Sequence, residues 1–401
     1  MSDVRLIFSI QAIRAALYGF GSILIGASLA ASGLDDLAVG LVFTAMLLGM
    51  AISSLAVGRW GERLGRRRTY GGLLLLMGAS GAVFALTGSV PFLVLAALTG
   101  TMSTDPNESG PITTVEQAML ASQPAAERSR VYGRYNAVAY LAGAAGALAA
   151  GGPTALRGVL PGLPPDQRWL LLIPLGAVAS AILARRLSRR VEVERAPAEG
   201  ARGLQRSRGI VQRLAALFAL DAFAGGFIVQ TFIVFWFGRR FGADADLMGL
   251  VFFGVGLLQA GSSIAAGWLG ERIGLLNTMV FSHLPSNVLL ALIPFAPSLL
   301  VAVLLLLARS GLSQMDVPAR QAYVAALVDP AERTAAAGYT NAARHVVRPA
   351  GPALASAAMS LGVGLPFLVA GGLKVVYDVA LYVTFRRVRL PEDDPAPTPR
   401  E

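Results

Sequence analysis

The sequence predicts an all-α membrane protein of twelve transmembrane helices, arranged as two six-helix bundles related by pseudo-symmetry. Apolar residues make up 55% of the 401 residues and charged residues only 14%, whereas a soluble domain carries about 25% charged residues. The charges are collected in short clusters between long apolar runs. Each run has about 20 residues, which is the length that a helix needs to cross a bilayer core of about 30 Å. This pattern excludes an ordinary soluble globular protein.

The apolar runs place the twelve helices in order along the chain. We predict helices near 6–30, 37–57, 69–88, 91–112, 131–151, 169–187, 210–236, 247–266, 277–296, 298–318, 335–358 and 366–385. Arginines concentrate in alternate loops, and nine of them lie in the segment 185–213. Because positively charged loops stay on the cytoplasmic side, we expect both termini and the central segment to be cytoplasmic. We expect a polytopic protein of the cell inner membrane.

The central segment divides the chain. It is basic and ends in a run rich in alanine, proline and glycine, which is typical of a solvated linker that also contacts lipid headgroups. We therefore expect an N-terminal bundle over 1–187, a cytoplasmic linker over 188–209, a C-terminal bundle over 210–386 and a cytoplasmic tail over 387–401.

Two motifs recur in the two halves. The pattern G-x-x-G-E-R-x-G follows the second helix at 58–65 and the eighth helix at 267–274, which is 209 residues later. Separately, the four residues Glu127, Arg128, Gly133 and Asn136 reappear as Glu332, Arg333, Gly338 and Asn341 at an offset of 205. Two motifs at nearly one offset indicate an internal duplication of six helices, which is how many secondary transporters are built.

The run Gly58-Arg-Trp-Gly-Glu-Arg-Leu-Gly-Arg-Arg67 resembles the loop signature between helices 2 and 3 of the major facilitator superfamily. It has Glu62 where that family usually has Asp. The resemblance covers nearly the whole chain and implies the family's twelve-helix fold and alternating access. It implies that Glu62 faces the N-terminus of helix 11 and that Arg66 or Arg67 pairs across the halves. The residues assigned to this gating motif are Gly58, Glu62, Arg63, Gly65 and Arg66, with Glu271 and Arg272 in the second copy.

Glycines have a packing role in this interpretation. Gly58 and Gly65 are expected to allow close helix packing and a tight turn. Helix 5 is almost entirely alanine and glycine over 137–152, and small residues let helices approach closely in lipid. Simple tight packing and rocking against the other half both explain that composition.

Helix 4 carries the acidic residues that we assign to proton coupling, namely Asp105, Glu108 and Glu116. A charged group at membrane depth costs at least about 2.5–3.5 kcal/mol, so such groups indicate a site. Pro106, Gly110 and Pro111 are expected to break the helix there, and discontinuous helices often mark binding sites. Glu116 has the alternative of lying solvated near the cytoplasmic end.

The second half contributes mostly arginines. The residues that we predict to line a substrate cavity are Arg14, Asp221, Arg309, Asp316, Arg344 and Arg348. Arginines without an acidic partner favour an anionic substrate through bidentate contacts. Two structural alternatives remain open, namely pairing of Asp316 with Arg344 or Arg348, and a local Lys374–Asp378 pair at i, i+4 spacing. His283 is interpreted as a satisfied polar residue, with a titrating role as the alternative.

Several classes of function are disfavoured. The absence of cysteine excludes thiolate sites, and two histidines disfavour a histidine-rich metal site. Motifs of the P-loop, H-E-x-x-H and G-x-S-x-G types are absent from the sequence, so we expect no enzyme, no cofactor and no metal. The net charge of +10 is spread over loops, which disfavours nucleic acid. A receptor or scaffold would need a further domain, and buried acids favour a carrier over a channel. A monomer surrounded by lipid is expected.

These observations predict a proton-coupled secondary transporter of a small organic solute, anionic or amphipathic, that works by alternating access. Export is the predicted direction, because the sequence vaguely resembles efflux members of the family. Uptake of an organic or phosphorylated anion by symport or exchange is the first alternative. A carrier of inorganic cations is the second.

Overall fold

The structure is a computed structural model that describes residues 2–103, 105, 110–120, 125–192, 206–328 and 332–388. These residues form helices joined by short turns, with no strand among them. The helices are α1 Asp3–Ala31, α2 Asp36–Leu64, α3 Arg66–Leu86, α4 Val90–Leu98, α5 Pro111–Leu120, α6 Ala125–Ala149, α7 Gly152–Val159, α8 Leu172–Arg185, α9 Arg208–Gly226, α10 Gln230–Phe241, α11 Ala245–Ile273, α12 Leu275–Leu292, α13 Leu299–Ser310, α14 Asp316–Leu327, α15 Arg333–Val347, α16 Ala350–Leu361 and α17 Leu365–Phe385.

Within the described residues these helices make twelve spans, as predicted. Eight spans are single helices, and four are pairs of helices end to end, namely α4 with α5, α9 with α10, α13 with α14, and α15 with α16. The short helix α7 lies between spans 5 and 6. Both ends of the described chain lie at the same end of the bundle, which we call the terminal end.

Eight of the spans are long and apolar enough to cross a membrane by length and composition. Within the described residues, the four that fall short are spans 4, 5, 10 and 11. They are equivalent pairs in the internal duplication, since span 4 corresponds to span 10 and span 5 to span 11. The spans that are too short or too polar by this criterion therefore occur at matching places in both halves.

Glycine is required at the end of each copy of the repeated motif. Gly65 and Gly274 adopt φ of +87° and +83°, a region that residues with a side chain rarely occupy. Each glycine ends one long helix and starts the next, because α2 stops at Leu64 and α3 starts at Arg66, as α11 and α12 do in the second half. The tight turn predicted at Gly65 is confirmed. Close packing at Gly58 is wrong, because a Cβ there would meet nothing within 4 Å.

Small residues of α6 set the packing of the first half. A Cβ on Gly146 would lie 1.9 Å from the carbonyl oxygen of Ala16, so α1 and α6 touch backbone to backbone. The opposite face of α6 contacts α11 of the second half, where a Cβ on Gly249 would lie 2.4 Å from the carbonyl oxygen of Ala147. The small side chains of span 5 therefore serve both packing within its half and contact between the halves.

The two halves approach each other most closely at the end opposite the terminal end, which we call the closed end. There α1 packs on α10, α2 packs on α16 and α6 packs on α11. A Cβ on Gly40 would lie 2.4 Å from the Ser356 hydroxyl, and Arg239 Nη2 lies 3.5 Å from Asp36 Oδ1. These contacts join the first half to the second.

Candidate functional site

Asp105 joins the two halves at the level where span 4 is broken. Span 4 is interrupted between Leu98 and Pro111, which confirms the predicted break. Asp105 Oδ1 accepts a hydrogen bond of 3.0 Å from the backbone nitrogen of Gln230, and Arg348 Nη2 lies 3.1 Å from Asp105 Oδ2. Gln230 is the first residue of α10, so the carboxylate also lies at the positive end of a helix dipole.

Three interrupted spans meet at this point. Arg348 lies in the break between α15 and α16, and Gln230 follows the break between α9 and α10. The last two breaks pack directly on each other, because a Cβ on Gly226 would lie 2.3 Å from the Arg348 carbonyl oxygen and a Cβ on Gly351 would lie 2.3 Å from the carbonyl carbon of Gly226. A broken helix offers unpaired backbone groups, and here one of them, the amide of Gln230, binds the Asp105 carboxylate.

A second site lies within the second half and is built around the buried carboxylate of Asp221 on α9. Lys374 Nζ on α17 lies 2.5 Å from Asp221 Oδ1. Arg320 Nη1 on α14 lies 3.5 Å from Oδ2, and Arg344 Nη2 on α15 lies 3.9 Å from Oδ2. The side chain of Arg344 is 28% exposed, while that of Asp221 is 6% exposed. Arg344 is therefore the most exposed of the three cations around Asp221.

His283 on α12 lies between two carboxylates. Its Nδ1 lies 2.8 Å from Asp378 Oδ1 and its Nε2 lies 3.9 Å from Asp221 Oδ1. Asn287, one turn further along α12, donates its Nδ2 hydrogen to Asp378 Oδ2 at 2.8 Å. The side chains of His283 and Asp378 are 6% and 1% exposed, so these contacts are shielded from solvent.

Arg309 differs from its cationic neighbours. It lies next to the end of α13, where span 10 breaks. Its Nε is buried and has no hydrogen-bond partner within the described part of the chain. Asp105 and Asp221 are close enough to act on its charge. Among the described residues the guanidinium forms no ion pair with either carboxylate.

Two of the predicted site residues of the first half, Arg14 and Glu116, bind each other. Arg14 Nη2 lies 2.7 Å from Glu116 Oε2, and the two side chains are 2% and 0% exposed. Tyr70 donates to Glu116 Oε1 at 2.7 Å, and the hydroxyl of Tyr135 donates to Oε2. Gln11 accepts from Arg14. Glu116 is buried here, so the alternative of a solvated position near the cytoplasmic end is wrong.

Comparison with known proteins assigns the chain to a family. The profile described as the Major Facilitator Superfamily matches residues 7–238 and 214–401, which together cover nearly the whole chain. The chain belongs to the Major Facilitator Superfamily. It is therefore a membrane transporter of some solute rather than an enzyme, as predicted.

One curated relative and one solved structure show how far the similarity of this superfamily member extends. An uncharacterized membrane protein of Saccharomyces cerevisiae is 23% identical over 424 residues, spanning 96% of this chain and 94% of the relative. A bacterial homolog of the human lysosomal transporter Spinster, inward-facing and occupied, has a TM-score of 0.74 at 13% identity, with 98% of both chains covered.

Two further solved structures have the same fold. The nucleoside transporter NupG has a TM-score of 0.69 at 14% identity, covering 96% of this chain and 100% of that one. A D-xylose-proton symporter has a TM-score of 0.69 at 15% identity, covering 95% and 98%. At these identities the likeness confirms the superfamily fold alone.

The superfamily loop motif makes contacts within the first half. The backbone nitrogens of Arg66 and Arg67 donate to the Glu192 carboxylate at 2.8 and 3.0 Å. Arg66 Nη1 donates to the Ala118 carbonyl at 3.2 Å, and Arg67 Nη2 donates to the Arg185 carbonyl at 2.9 Å. The pairing across the halves that the resemblance implies for Arg66 or Arg67 stays a prediction for another conformation.

The other motif residues are placed at the terminal end. Arg63 is exposed, and so are Glu271 and Arg272 in the second copy. The Arg272 guanidinium carbon lies 4.1 Å from the centre of the Trp268 ring. The side chain of Glu62 lies outside the described residues, as does Glu108 of helix 4. Their predicted roles stay predictions.

Two predicted ion pairs are wrong. Lys374 pairs with Asp221 across the bundle instead of with Asp378 on its own helix. Asp316 pairs with Arg320 at 2.9 Å, one turn further along α14, whereas Arg348 pairs with Asp105 and Arg344 lies nearest to Asp221. In each case the choice of partner follows from helix packing that sequence spacing does not contain.

Several contributing residues were not singled out from the sequence. The tyrosines Tyr70 and Tyr135, the amide of Asn287 and the helix-capping carboxylate of Glu192 all belong here. Glu332, which the sequence identified only as a repeat of Glu127, accepts from the backbone nitrogens of Arg206 and Ser207 at 2.9 Å each, next to the start of α9. A carboxylate is stabilised at a helix N-terminus, and that explains an acid at this position.

Proposed function

We propose that this protein is a proton-coupled carrier of a small organic anion and that it works by alternating access. The observation that carries the proposal is the guanidinium of Arg309, whose buried Nε lacks a hydrogen-bond partner in the described chain. Asp105 and Asp221 are close enough to act on its charge. A buried donor without a partner costs about 1–3 kcal/mol, which a bound anion would offset.

The charges around Arg309 support an anionic substrate. Among the described side chains at this depth, five cationic groups accompany four carboxylates. The cations are Arg309, Arg320, Arg344, Arg348 and Lys374, and the carboxylates are Asp105, Asp221, Asp316 and Asp378. The surplus positive charge disfavours the inorganic-cation alternative. A planar guanidinium binds a carboxylate or phosphate with two parallel hydrogen bonds.

Arg344 and Arg348 are the partners that we assign to Arg309 in substrate binding. Their side chains are 28% and 27% exposed, and a charge at membrane depth is expected to face a polar cavity rather than lipid. Arg14 of the predicted substrate set is buried against Glu116 in the first half. We therefore leave Arg14 and Glu116 with a structural role in this proposal.

Asp105 is the group that we propose to couple protons to the conformational change. In the described conformation its carboxylate has Arg348 and the Gln230 amide as partners. Both partners belong to the second half, so Asp105 loses them when the closed end opens. A carboxylate that is paired in one conformation and solvated in the other binds protons differently in the two, which links proton binding to the conformational equilibrium.

The membrane orientation and the direction of transport belong to this proposal. The arginine-rich loops support cytoplasmic termini in an inner membrane, which makes the described conformation open towards the cytoplasm. Export requires protons and substrate to move in opposite directions, and the uptake alternative requires them to move together. The residues proposed here would carry out either export or uptake.

The test is substrate-dependent proton movement in proteoliposomes with a pH dye inside. The probes are benzoate, benzamide and benzamidine, which share one ring and differ in charge, with succinate and glucose 6-phosphate as further anions. We expect an anion to move protons in wild type and Asp105→Asn to bind it without proton movement. Glu108→Gln tests the second predicted acid.

Arg309→Gln should abolish binding of the anion, whereas Arg239→Gln, an exposed arginine of the closed end, should leave it unchanged. Thermal stabilisation of the purified protein by each probe reports binding separately from transport. Transport of benzamidine in preference to every anion would contradict the assignment of the substrate class. Transport without proton flux in wild type would contradict the coupling.

A further inference from the structure

We propose that His283, together with Asp378, is a proton-binding site of the second half and that it takes up a proton when the anion binds. This inference rests on the proposed function for its anion, although its first test needs no substrate. Spans 9 and 12, which carry the pair, lie away from the break of span 4 where Asp105 was predicted to handle protons.

The geometry requires one proton in the contact between the two residues. His283 Nδ1 and Asp378 Oδ1 are 2.8 Å apart, and without a hydrogen between them two lone pairs would face each other. The amide nitrogen of Asn287 donates to the other oxygen, Oδ2, and also lies 3.0 Å from His283 Nδ1. The neutral imidazole that carries its hydrogen on Nδ1 satisfies the contact with Asp378, with the Asn287 amide directed to Oδ2.

The other face of the ring offers a place for a second proton. In the neutral tautomer Nε2 carries only a lone pair, and it lies 3.9 Å from the Asp221 carboxylate. Protonation of Nε2 would replace an unfavourable contact with an ion pair. Only the doubly protonated imidazolium donates to both carboxylates, so the ring is placed to bind and release a proton at Nε2.

Titratable and charged groups lie on each helix packed against α12. They are Asp221 from α9, Lys374, Tyr377, Asp378 and Tyr382 from α17, Asp316, Arg320 and Tyr323 from α14, and Arg309 from α13. The titratable groups of α11 are Asp246, Glu271 and Arg272, which lie near its two ends. Tyr377 packs edge-on to the imidazole with ring centres 5.9 Å apart.

Around neutral His283 three carboxylates, those of Asp221, Asp316 and Asp378, face four cations, Arg309, Arg320, Arg344 and Lys374. The cluster therefore has one excess positive charge. A proton on His283 adds a second, which is unfavourable in a poorly solvated site. An anion held by Arg309 and Arg344 would compensate that charge. Arg344 lies 3.9 Å from Asp221, and Asp221 faces His283, so the two binding events act on each other through one carboxylate.

The consequence is that anion and proton are loaded together in the same conformation. Simultaneous loading is the requirement for symport. This observation favours the uptake alternative over export, because an exporter driven by protons must release one as it binds the other.

The first test observes His283 directly by NMR of protein labelled with ¹⁵N-histidine. The chain has only two histidines, so His345→Gln leaves one imidazole. We expect that signal to change from the neutral to the doubly protonated form as the pH is lowered. Asp378→Asn removes one carboxylate acceptor and should move that change to lower pH. A ring that stays neutral throughout, or a midpoint that Asp378→Asn leaves in place, overturns the proposal.

The second test measures proton uptake on anion binding in weakly buffered detergent solution with a pH dye. Benzoate, succinate and glucose 6-phosphate are the probes, and benzamide is the uncharged control. We expect about one proton per bound anion in wild type and in His345→Gln, and none in His283→Gln. Proton uptake that persists in His283→Gln overturns the proposal while the anion carrier stands. If every anion fails to bind, the proposed function fails, and the NMR titration still decides the role of His283.

Discussion

Asp105 and Arg348 form an ion pair of 3.1 Å that crosses from the first half of the molecule to the second. The two residues are 243 positions apart in the sequence. Each lies where its own span is interrupted, and each is 27% exposed. The pair therefore stabilises a conformation in which the halves are in contact at this level, and it is broken when they separate.

Loss of this pair should shift the conformational equilibrium. Asp105→Asn is expected to weaken the closed end by up to about 1 kcal/mol, because half-exposed pairs contribute about 0.2–1 kcal/mol. That corresponds to about a fivefold change in the ratio of the two conformations. The measurement is the distance between spin labels at Ala31→Cys and Asp244→Cys, two exposed positions of the closed end. The chain has no native cysteine to remove.

The control is Asp36→Asn, which removes the more exposed pair with Arg239 at the same end. We expect a smaller shift there. A distance distribution identical to wild type in Asp105→Asn would show that the pair does not hold the halves together.

Close packing between α6 and α11 should be as important as the ion pair. Gly249→Ala places a Cβ 2.4 Å from the Ala147 carbonyl oxygen, so the closed end must open to accommodate it. The same spin-label pair should report a larger population of long distances. Gly261→Ala is the matched control on the same helix, because a Cβ there meets nothing within 4 Å. Equal effects of the two substitutions would contradict the assigned contact.

The pair of Arg14 and Glu116 should stabilise the first half without taking part in transport. Glu116→Gln leaves the buried Arg14 without a counter-charge, which is expected to cost about 3–5 kcal/mol of unfolding free energy. The double variant Arg14→Met with Glu116→Gln removes both charges and should recover most of that loss. Reversible unfolding in mixed detergent micelles measures both. A double variant as unstable as the single one would mean that the cost comes from packing.

Loss of the Asp221 carboxylate should destabilise the cluster of cations around it. Asp221→Asn leaves the cations Lys374, Arg320 and Arg344 with one carboxylate fewer and should strongly lower thermal stability. Adding Lys374→Met should restore stability in part, since Lys374 makes the shortest contact, 2.5 Å. Asp166→Asn is the surface control, because its partner Arg157 is 30% exposed and exposed pairs contribute little. Failure of Lys374→Met to restore any stability would show that another cation is the main partner.

Much of the site could be predicted from the sequence because the membrane makes charges conspicuous. Asp105, Asp221 and Arg309 stand out in apolar runs, and the prolines and glycine of the run 106–111 predicted the break of span 4. The glycine that ends each copy of the repeated motif was also recognisable. Gly65 and Gly274 adopt the same backbone conformation. Each of these features depends either on a local residue type or on the position of a residue within an apolar run, and the sequence contains both kinds of information.

The partners of these charges could not be predicted. Lys374 and Asp378 have the spacing of a local pair, yet Lys374 binds Asp221 and Asp378 binds His283. The spacing along one helix identifies the charged groups within one turn that could form an ion pair. Whether a group on a neighbouring helix lies nearer is decided by how the helices pack. The breaks in spans 7, 10 and 11 were not predicted, although span 11 has Pro349, Gly351 and Pro352 at its break and span 7 has Gly225 and Gly226. Contacts such as that of Gly226 with Gly351 hold the breaks in place.

The sequence by itself determined the class of the protein, the twelve spans, the duplication and the set of charges that a membrane protein carries only for a reason. Each of these depends on composition, hydrophobic length and repetition, which are properties of a linear chain. Only the tertiary structure decided that Asp105 meets Arg348, that Arg14 is neutralised by Glu116 and that His283 lies between Asp378 and Asp221. Electrostatic and hydrogen-bond energies fall off within a few ångströms, and distances of that size between helices are set by packing.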